Sequence, residues 1–263
     1  MIAQGVIQQW RTRAPWFSDV QIEQDLVLSR AMVEIFNHPL LSSTLALRGG
    51  TSFNKLYVPQ GSRYSEDIDL VQVKAESIGK TLDAIRSLID PWLGEPLRKA
   101  SKGNASLRYR FTAEGPTAAR LSLKIEINTR EHFAVFGYAK HAYAMDSPWF
   151  KGSAEVVTYE LNELLGTKMR ALYQRKKGRD LFDLWRGLGL KGVKPAKVVE
   201  AFSAYMKHGG FKVSAKEYTA NLAAKMKNEL FVLDSRSLLA RDSDYDPDLA
   251  AELVLEELIA RLD

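Results

Sequence analysis

Apolar residues recur at spacings of three and four from Ile7 to Phe36, most clearly through Val20 to Leu28 and Ala31 to Phe36. That period predicts a helix with one face in a core. His38-Pro39 stops it, because the residue before a proline is pushed out of the α region. A short apolar run, Thr44 to Leu47, predicts the first core strand. Thr51 to Tyr57 predicts a short helix, residues 58–61 a turn, and Asp67 to Val73 a second strand. Ser77 to Leu93 reads as a helix ended near Gly94 and Pro96. Ser106 to Thr112 and Arg120 to Thr129 alternate apolar with polar, as antiparallel partners do, with a turn at Glu114-Gly115-Pro116. Val156 to Tyr159 predicts a last strand.

From Glu160 the period is helical. Leu161, Leu164, Leu165, Lys168, Met169, Leu172 and Tyr173 follow i, i+3, i+4. Asp180 to Leu188 predicts a second helix, with Gly187 and Gly189 at its end. Pro195 to Met206, Ala215 to Met226 and Pro247 to Leu262 predict three more. The expected class is α+β: a small mixed-sheet core with N-terminal helices over residues 1–155, then a helical C-terminal domain over 156–263. A seam near Lys151-Gly152-Ser153 is expected.

Composition narrows the class. The chain has 263 residues, 46% of them hydrophobic and 26% charged, in the range of globular proteins. It has no cysteine, which excludes a disulfide framework and a thiolate metal site. Residues 1–16 do not follow a secretory leader pattern, and no apolar run approaches the roughly 20 residues that span a bilayer. A cytoplasmic protein with no membrane partner is expected. The net charge of +5 is unevenly spread. Leu164 to Asn228 carries 15 Lys and Arg against 4 Asp and Glu, whereas Glu229 to Asp263 carries 3 against 10. A basic block of that kind suits a polyanion, or is simply a set of solvated helix faces.

Two short segments turn the picture toward chemistry. Leu47-Arg48-Gly49-Gly50-Thr51-Ser52 runs from a strand through a glycine pair toward a helix start, where exposed N–H groups favour phosphate. Arg63-Tyr64-Ser65-Glu66-Asp67-Ile68-Asp69-Leu70 places two carboxylates two residues apart on a strand, so both point to one side. Ile68, Leu70 and Val71 imply partial burial, where two unpaired anions are expensive. A hard divalent cation, Mg2+ or Mn2+ in its place, relieves that cost and leaves room for substrate phosphates. A phosphate cradle with metal carboxylates points to nucleotidyl transfer. In Arg120 to Thr129 the polar face carries Ser122, Lys124, Glu126 and Asn128. Glu126 is a candidate third metal ligand beside Asp67 and Asp69, or an exposed partner of Lys124. The four histidines, 38, 132, 141 and 208, lack metal-ligand spacing.

The same residues resemble the first motif of the AbiEii/AbiGii/MenT group of nucleotidyltransferases. That group belongs to the polymerase-beta-like superfamily, and many members are toxins of type IV toxin–antitoxin or abortive-infection systems. Glu163-Leu164-Leu165-Gly166-Thr167-Lys168-Met169-Arg170-Ala171 is similar to the third motif, with Glu163 where the family more often has Asp. Arg179-Asp180-Leu181-Phe182-Asp183-Leu184 is similar to the fourth, Asp-Leu-x-Asp. Residues 124–131 are the nearest match to the second motif, and residues 57–62 lengthen the gap inside the first. The resemblance covers residues 47–184.

The resemblance implies a Mg2+-dependent enzyme that moves NMP from an NTP to RNA, most naturally the 3′ end of a tRNA, and so blocks translation. It also implies a cognate antitoxin encoded nearby. Asp67, Asp69, Lys168 and Asp180 form the implied catalytic set. Gly50, Thr51, Ser52, Arg63, Ser65 and Lys168 form the nucleotide-binding set. Lys168 would bind the triphosphate. Asp180 would orient Lys168 or act as base, its plain alternative being a helix cap, and Asp183 would be a buried structural partner. Arg63 faces a phosphate or pairs with Glu66. Ser65 shares the face of Asp67; its plain reading is a strand-edge hydroxyl, and a phosphate added there would repel a nucleotide. Arg170, Arg175, Lys176 and Lys177 would grip RNA, the last two in a loop with Gly178 and Arg179, while Tyr173 stacks a base or packs in the core. The rival readings are a small-molecule transferase of the antibiotic-modifying kind, a protein-modifying transferase, and a non-catalytic RNA- or partner-binding relative.

Overall fold

The structure is a computed structural model that describes residues 2–58, 62–114, 118–240 and 244–263. The turns expected at 58–61 and 114–116 lie partly outside those residues. The fold is α+β, and the chain divides into two compact units, Met1–Tyr159 and Glu160–Asp263.

In the first unit the helix expected from Ile7 to Phe36 is two helices, α1 (Gln4–Trp10) and α2 (Asp19–Asn37). Ser18 makes the break. Its hydroxyl accepts the Gln21 N–H while the Gln21 side chain accepts the Ser18 N–H, each at 3.3 Å, which closes a capping box at the start of α2. Asp25 on α2 then fastens the preceding segment. It accepts the indole N–H groups of Trp10 and Trp16 at 2.8 and 3.2 Å and the Lys55 ammonium at 2.9 and 3.0 Å. α2 buries apolar residues such as Ile22, Leu26 and Met32 completely, and it buries Glu23 and Gln24 too. It is therefore a core helix covered on nearly every side. The helix α3 (Pro39–Thr44) follows, with proline in its first turn, where a missing N–H costs nothing.

Next come β1 (Leu45–Arg48), α4 (Gly49–Ser52) continuing into a π-helical turn over Phe53–Tyr57, β2 (Asp67–Gln72) and α5 (Gly79–Leu93). Five further strands are β3 (Leu97–Ser101), β4 (Asn104–Thr112), β5 (Arg120–Asn128), β6 (Tyr138–Asp146) and β7 (Lys151–Tyr159). Among the described residues these make one mixed sheet in the order β3-β4-β5-β2-β1-β7-β6. β4 and β5 pair antiparallel, as their alternation predicts, and β5 joins β2 in parallel. The two strands that the pattern does not predict, β3 and β6, are the sheet edges. Every residue of β3 is exposed, and β6 is mostly so, which leaves neither a strong apolar alternation to read. The boundary between the units lies beyond the expected 155/156, and the seam expected at residues 151–153 runs inside β7. That strand pairs with β6 along its whole length, so the chain cannot be divided there.

The second unit is helical: α6 (Leu161–Gln174), α7 (Gly178–Leu188), α8 (Pro195–His208), α9 (Ala215–Met226), the short α10 (Glu229–Leu233) and α11 (Pro247–Glu257), then a 3-10 turn over Ile259–Arg261. Gly166 lets α6 touch α8: a Cβ there would lie 2.6 Å from that of Ala201. Among the described residues no helix is long and apolar enough to cross a membrane.

Candidate active site

β2 carries Asp67 and Asp69 outward, while Ile68, Leu70 and Val71 fill the core. The strand's neighbours fix what surrounds them. Asp69 lies in register with Arg48 on β1 and with Glu126 on β5, and Asp67 with Lys124 on β5. The glycine pair makes the approach possible. Gly49 has φ +75°, and a Cβ there would sit 2.3 Å from Asp69 Oδ2. A Cβ on Gly50 would lie 2.5 Å from Arg63 Nη2 and 3.1 Å from Ser65 Oγ. The helix starts at Gly49 itself, earlier than the expected Thr51 or Ser52.

The hydroxyls of Thr51 and Ser52 serve the fold. Thr51 Oγ1 is 2.6 Å from the Asp67 carbonyl oxygen and 2.9 Å from Ser65 Oγ. A hydroxyl has one proton and a carbonyl can only accept, so Thr51 donates to Asp67 and Ser65 donates to Thr51. Ser52 is bonded to Thr158 at 2.6 Å. Both are fully buried. Their side chains are committed within the fold, so the expected phosphate cradle rests on the backbone of the segment. Arg63, expected to face a phosphate or pair with Glu66, is buried under Gly50 and donates to the Tyr64 carbonyl at 3.0 Å. Ser65 also reaches a pocket of about 290 Å³ lined by Trp10, Trp16, Lys55 and Tyr143.

Asp67 is pushed up to about 6, first by burial, then by the charges of Asp69 and Glu66; Lys124 and Arg108 pull the other way. Among the described residues neither Asp67 nor Asp69 has a hydrogen bond to its carboxylate or an ion pair. Two anions left so on one face are the donor set a hard divalent cation seeks. Glu126 is on the neighbouring strand beside Asp69, but its carboxylate accepts the Asn104 amide at 2.7 Å and pairs with Lys124. No cluster of three His, Cys, Asp or Glu side chains poised for a metal occurs among the described residues. The expected three-acid ligand set is therefore two acids in place and a third held by its neighbours. Asp67 and Asp69 fit a cation; Glu126 would have to leave Lys124 to join them.

In the second unit Lys168 is 4% exposed, and its ammonium lies 2.7 Å from Asp183 and 3.8 Å from Asp180, both fully buried. Asp183, read from sequence as structural, is the nearer partner. Asp180 sits in the first turn of α7, which Lys177 caps, so it is not the cap residue. It instead accepts a two-pronged bond from Arg175 at 2.7 and 2.8 Å. Glu163 is buried and accepts the Tyr205 hydroxyl at 2.7 Å. Arg170 stacks over the Tyr205 ring at 4.9 Å. Lys176 and Lys177 are exposed, Lys177 lying 3.5 Å from Asp234, while Gly178 and Arg179 belong to α7 and not to the expected loop. Tyr173 packs edge-on against Tyr218 at 5.1 Å. Arg108 and Lys124, which flank Asp67, were not singled out from sequence as site residues, although Arg108 stands plainly on the polar face of an alternating strand.

The chain has known relatives. Residues 30–257 match the family described as nucleotidyl transferase AbiEii toxin, type IV toxin–antitoxin system, and the chain belongs to that family. Such a family implies an antitoxin partner. MenT4, a nucleotidyltransferase toxin from Mycobacterium tuberculosis H37Rv, is similar in structure with a TM-score of 0.57 and 13% identity, over 100% of this chain and 91% of that one. JHP933 from Helicobacter pylori is similar with a TM-score of 0.52 and 15% identity, over 93% of this chain and 96% of that one. At these identities the likeness is one of fold. No curated relative matches the chain.

Proposed function

We propose that this family member transfers NMP from an NTP to an RNA acceptor, the 3′ end of a tRNA, and so stops translation in the cytoplasm. The observation that carries the reading is the unpaired pair Asp67 and Asp69, with Asp69 held against Gly49 just after β1. Asp67 and Asp69 would hold Mg2+, or Mn2+ in its place. Bound there, the ion supplies charge neutralisation at the phosphates and eases deprotonation of the attacking hydroxyl. The chain's own part is positioning, which dominates phosphoryl-type transfer. Backbone N–H groups from Gly50 to Ser52 would meet the phosphates, while Thr51 holds Ser65 and Asp67 in place. For Lys168, in the second unit, the family motif implies a triphosphate contact, and its ammonium is oriented by Asp183 and Asp180. Arg170, Arg175, Lys176 and Lys177 add positive charge for RNA.

The test is incubation with total tRNA, Mg2+ and each labelled NTP in turn, beside Asp67→Ala. Label on RNA with the wild type alone is expected and identifies the nucleotide. Label on small molecules or proteins of a lysate, with none on RNA, overturns the acceptor and keeps the transferase.

A further inference from the structure

The sheet register exposes a cationic face that leads away from the two aspartates within the first unit. Residues paired across neighbouring strands share a face. One row runs Asp67, Lys124, Arg108, Leu97; the next runs Asp69, Glu126, Ser106, Lys99. Further along β4 and β5 the same face carries Arg110 opposite Ser122, then Arg120 opposite Thr112. The opposite face is apolar: Leu107, Tyr109, Leu123 and Ile125 are buried. Outward positions of β3, β4 and β5 therefore hold five cations, Lys99, Arg108, Arg110, Arg120 and Lys124, against one acid, Glu126. Lys99, Arg108, Arg110 and Arg120 are exposed in the whole chain. Lys124 is committed to Glu126, and Arg108 is steadied by the Ser122 hydroxyl at 3.0 Å. Arg108 and Lys124 are close enough to Asp67 to favour its charged form.

We infer that this face is the track on which the RNA acceptor's phosphates lie. The inference rests on the RNA-acceptor reading above and locates the acceptor on the β3-β4-β5 face, on residues other than the helical basic block. Strand spacing puts Arg108 about 10 Å from Asp67, and Arg120 about 13 Å from Lys124 along β5. A reach of that size exceeds one nucleotide. A small acceptor makes no use of it, whereas a polyanion contacts it at several phosphates at once. The arginine side chains also offer planar, two-pronged donors suited to phosphate. The face ends at the two carboxylates, so a strand lying on it delivers its terminal hydroxyl there.

The test compares wild type with K99A/R110A/R120A, all at exposed positions whose loss leaves the core intact, and with K176A/K177A. Binding of total tRNA is titrated at several salt concentrations, and melting temperature confirms folding. Losing three phosphate contacts lowers the slope of log affinity against log salt by about 2 and weakens binding about tenfold or more at moderate salt. That loss in K99A/R110A/R120A, with an unchanged melting temperature, is the expected result. An unchanged slope there, or a loss confined to K176A/K177A, overturns the track and leaves the acceptor reading standing. Absence of tRNA binding and of RNA labelling by the wild type sinks both.

Discussion

Gly49 and Asp69 are so close that a single methyl group between them has no room: a Cβ on Gly49 would lie 2.3 Å from Asp69 Oδ2. Gly49 also has φ +75°, where other residues are strained. Gly49→Ala therefore meets both obstacles. A loss of about 1–3 kcal/mol of stability is expected, with transfer activity down by at least a hundredfold because Asp69 must move. Thermal unfolding and the labelling assay read the two effects. Full activity would show that the carboxylate does not need its present position.

Asp67→Asn separates activity from stability. In the absence of metal it relieves repulsion from Asp69 and Glu66 and the cost of burying a charge. With EDTA present, the variant is expected to be more stable than wild type by on the order of 1 kcal/mol, although it transfers nothing. Addition of Mg2+ should raise the melting temperature of the wild type by mass action and leave the variant nearly unmoved. Equal Mg2+ responses would remove Asp67 from the metal site.

Lys168 and Asp183 form a buried pair, and breaking such a pair strands a charge. Asp183→Ala and Lys168→Ala are each expected to cost about 3–5 kcal/mol, measurable by denaturant titration. Loss of activity in Lys168→Ala must be read beside that cost. An inactive Lys168→Ala of wild-type stability would mean the lysine acts on substrate alone and that the pair contributes nothing to the fold.

Glu23 supplies a pH signature away from the aspartates. Burial pushes its carboxyl up to about 6, and among the described residues one of its oxygens has no hydrogen-bond partner while the other accepts the Glu114 N–H at 3.0 Å. A raised carboxyl pKa means the folded chain binds the proton more tightly than the unfolded chain. Its contribution is full below the unfolded value near 4.5 and is lost as pH rises through about 6. Glu23→Gln keeps an acceptor and removes the charge. It should stabilise the protein by on the order of 1 kcal/mol at pH 8 and change little at pH 4.5. Equal effects at the two pH values would rule out this account.

Local pattern alone determined several elements. The alternation of β4 and β5, the apolar run of β1, the spacing of α6 and the bounds of α9 were legible because each residue's neighbours along the chain carry the signal. The two aspartates on one face of β2 followed from strand geometry, and the ordered motifs pointed to the family. Tertiary structure decided what depends on residues distant in sequence. The start of α2 was written locally in the Ser18–Gln21 capping box, but the fastening of the preceding segment was not: there Asp25 binds two tryptophans and Lys55. Tertiary structure placed β3 and β6 at the edges, where exposure erases the alternation. It gave Lys168 to Asp183 first and Asp180 second, and it turned Glu126 toward Lys124. It also set Arg108 and Lys124 beside Asp67, since strand register is fixed by pairing between segments and not by either segment alone.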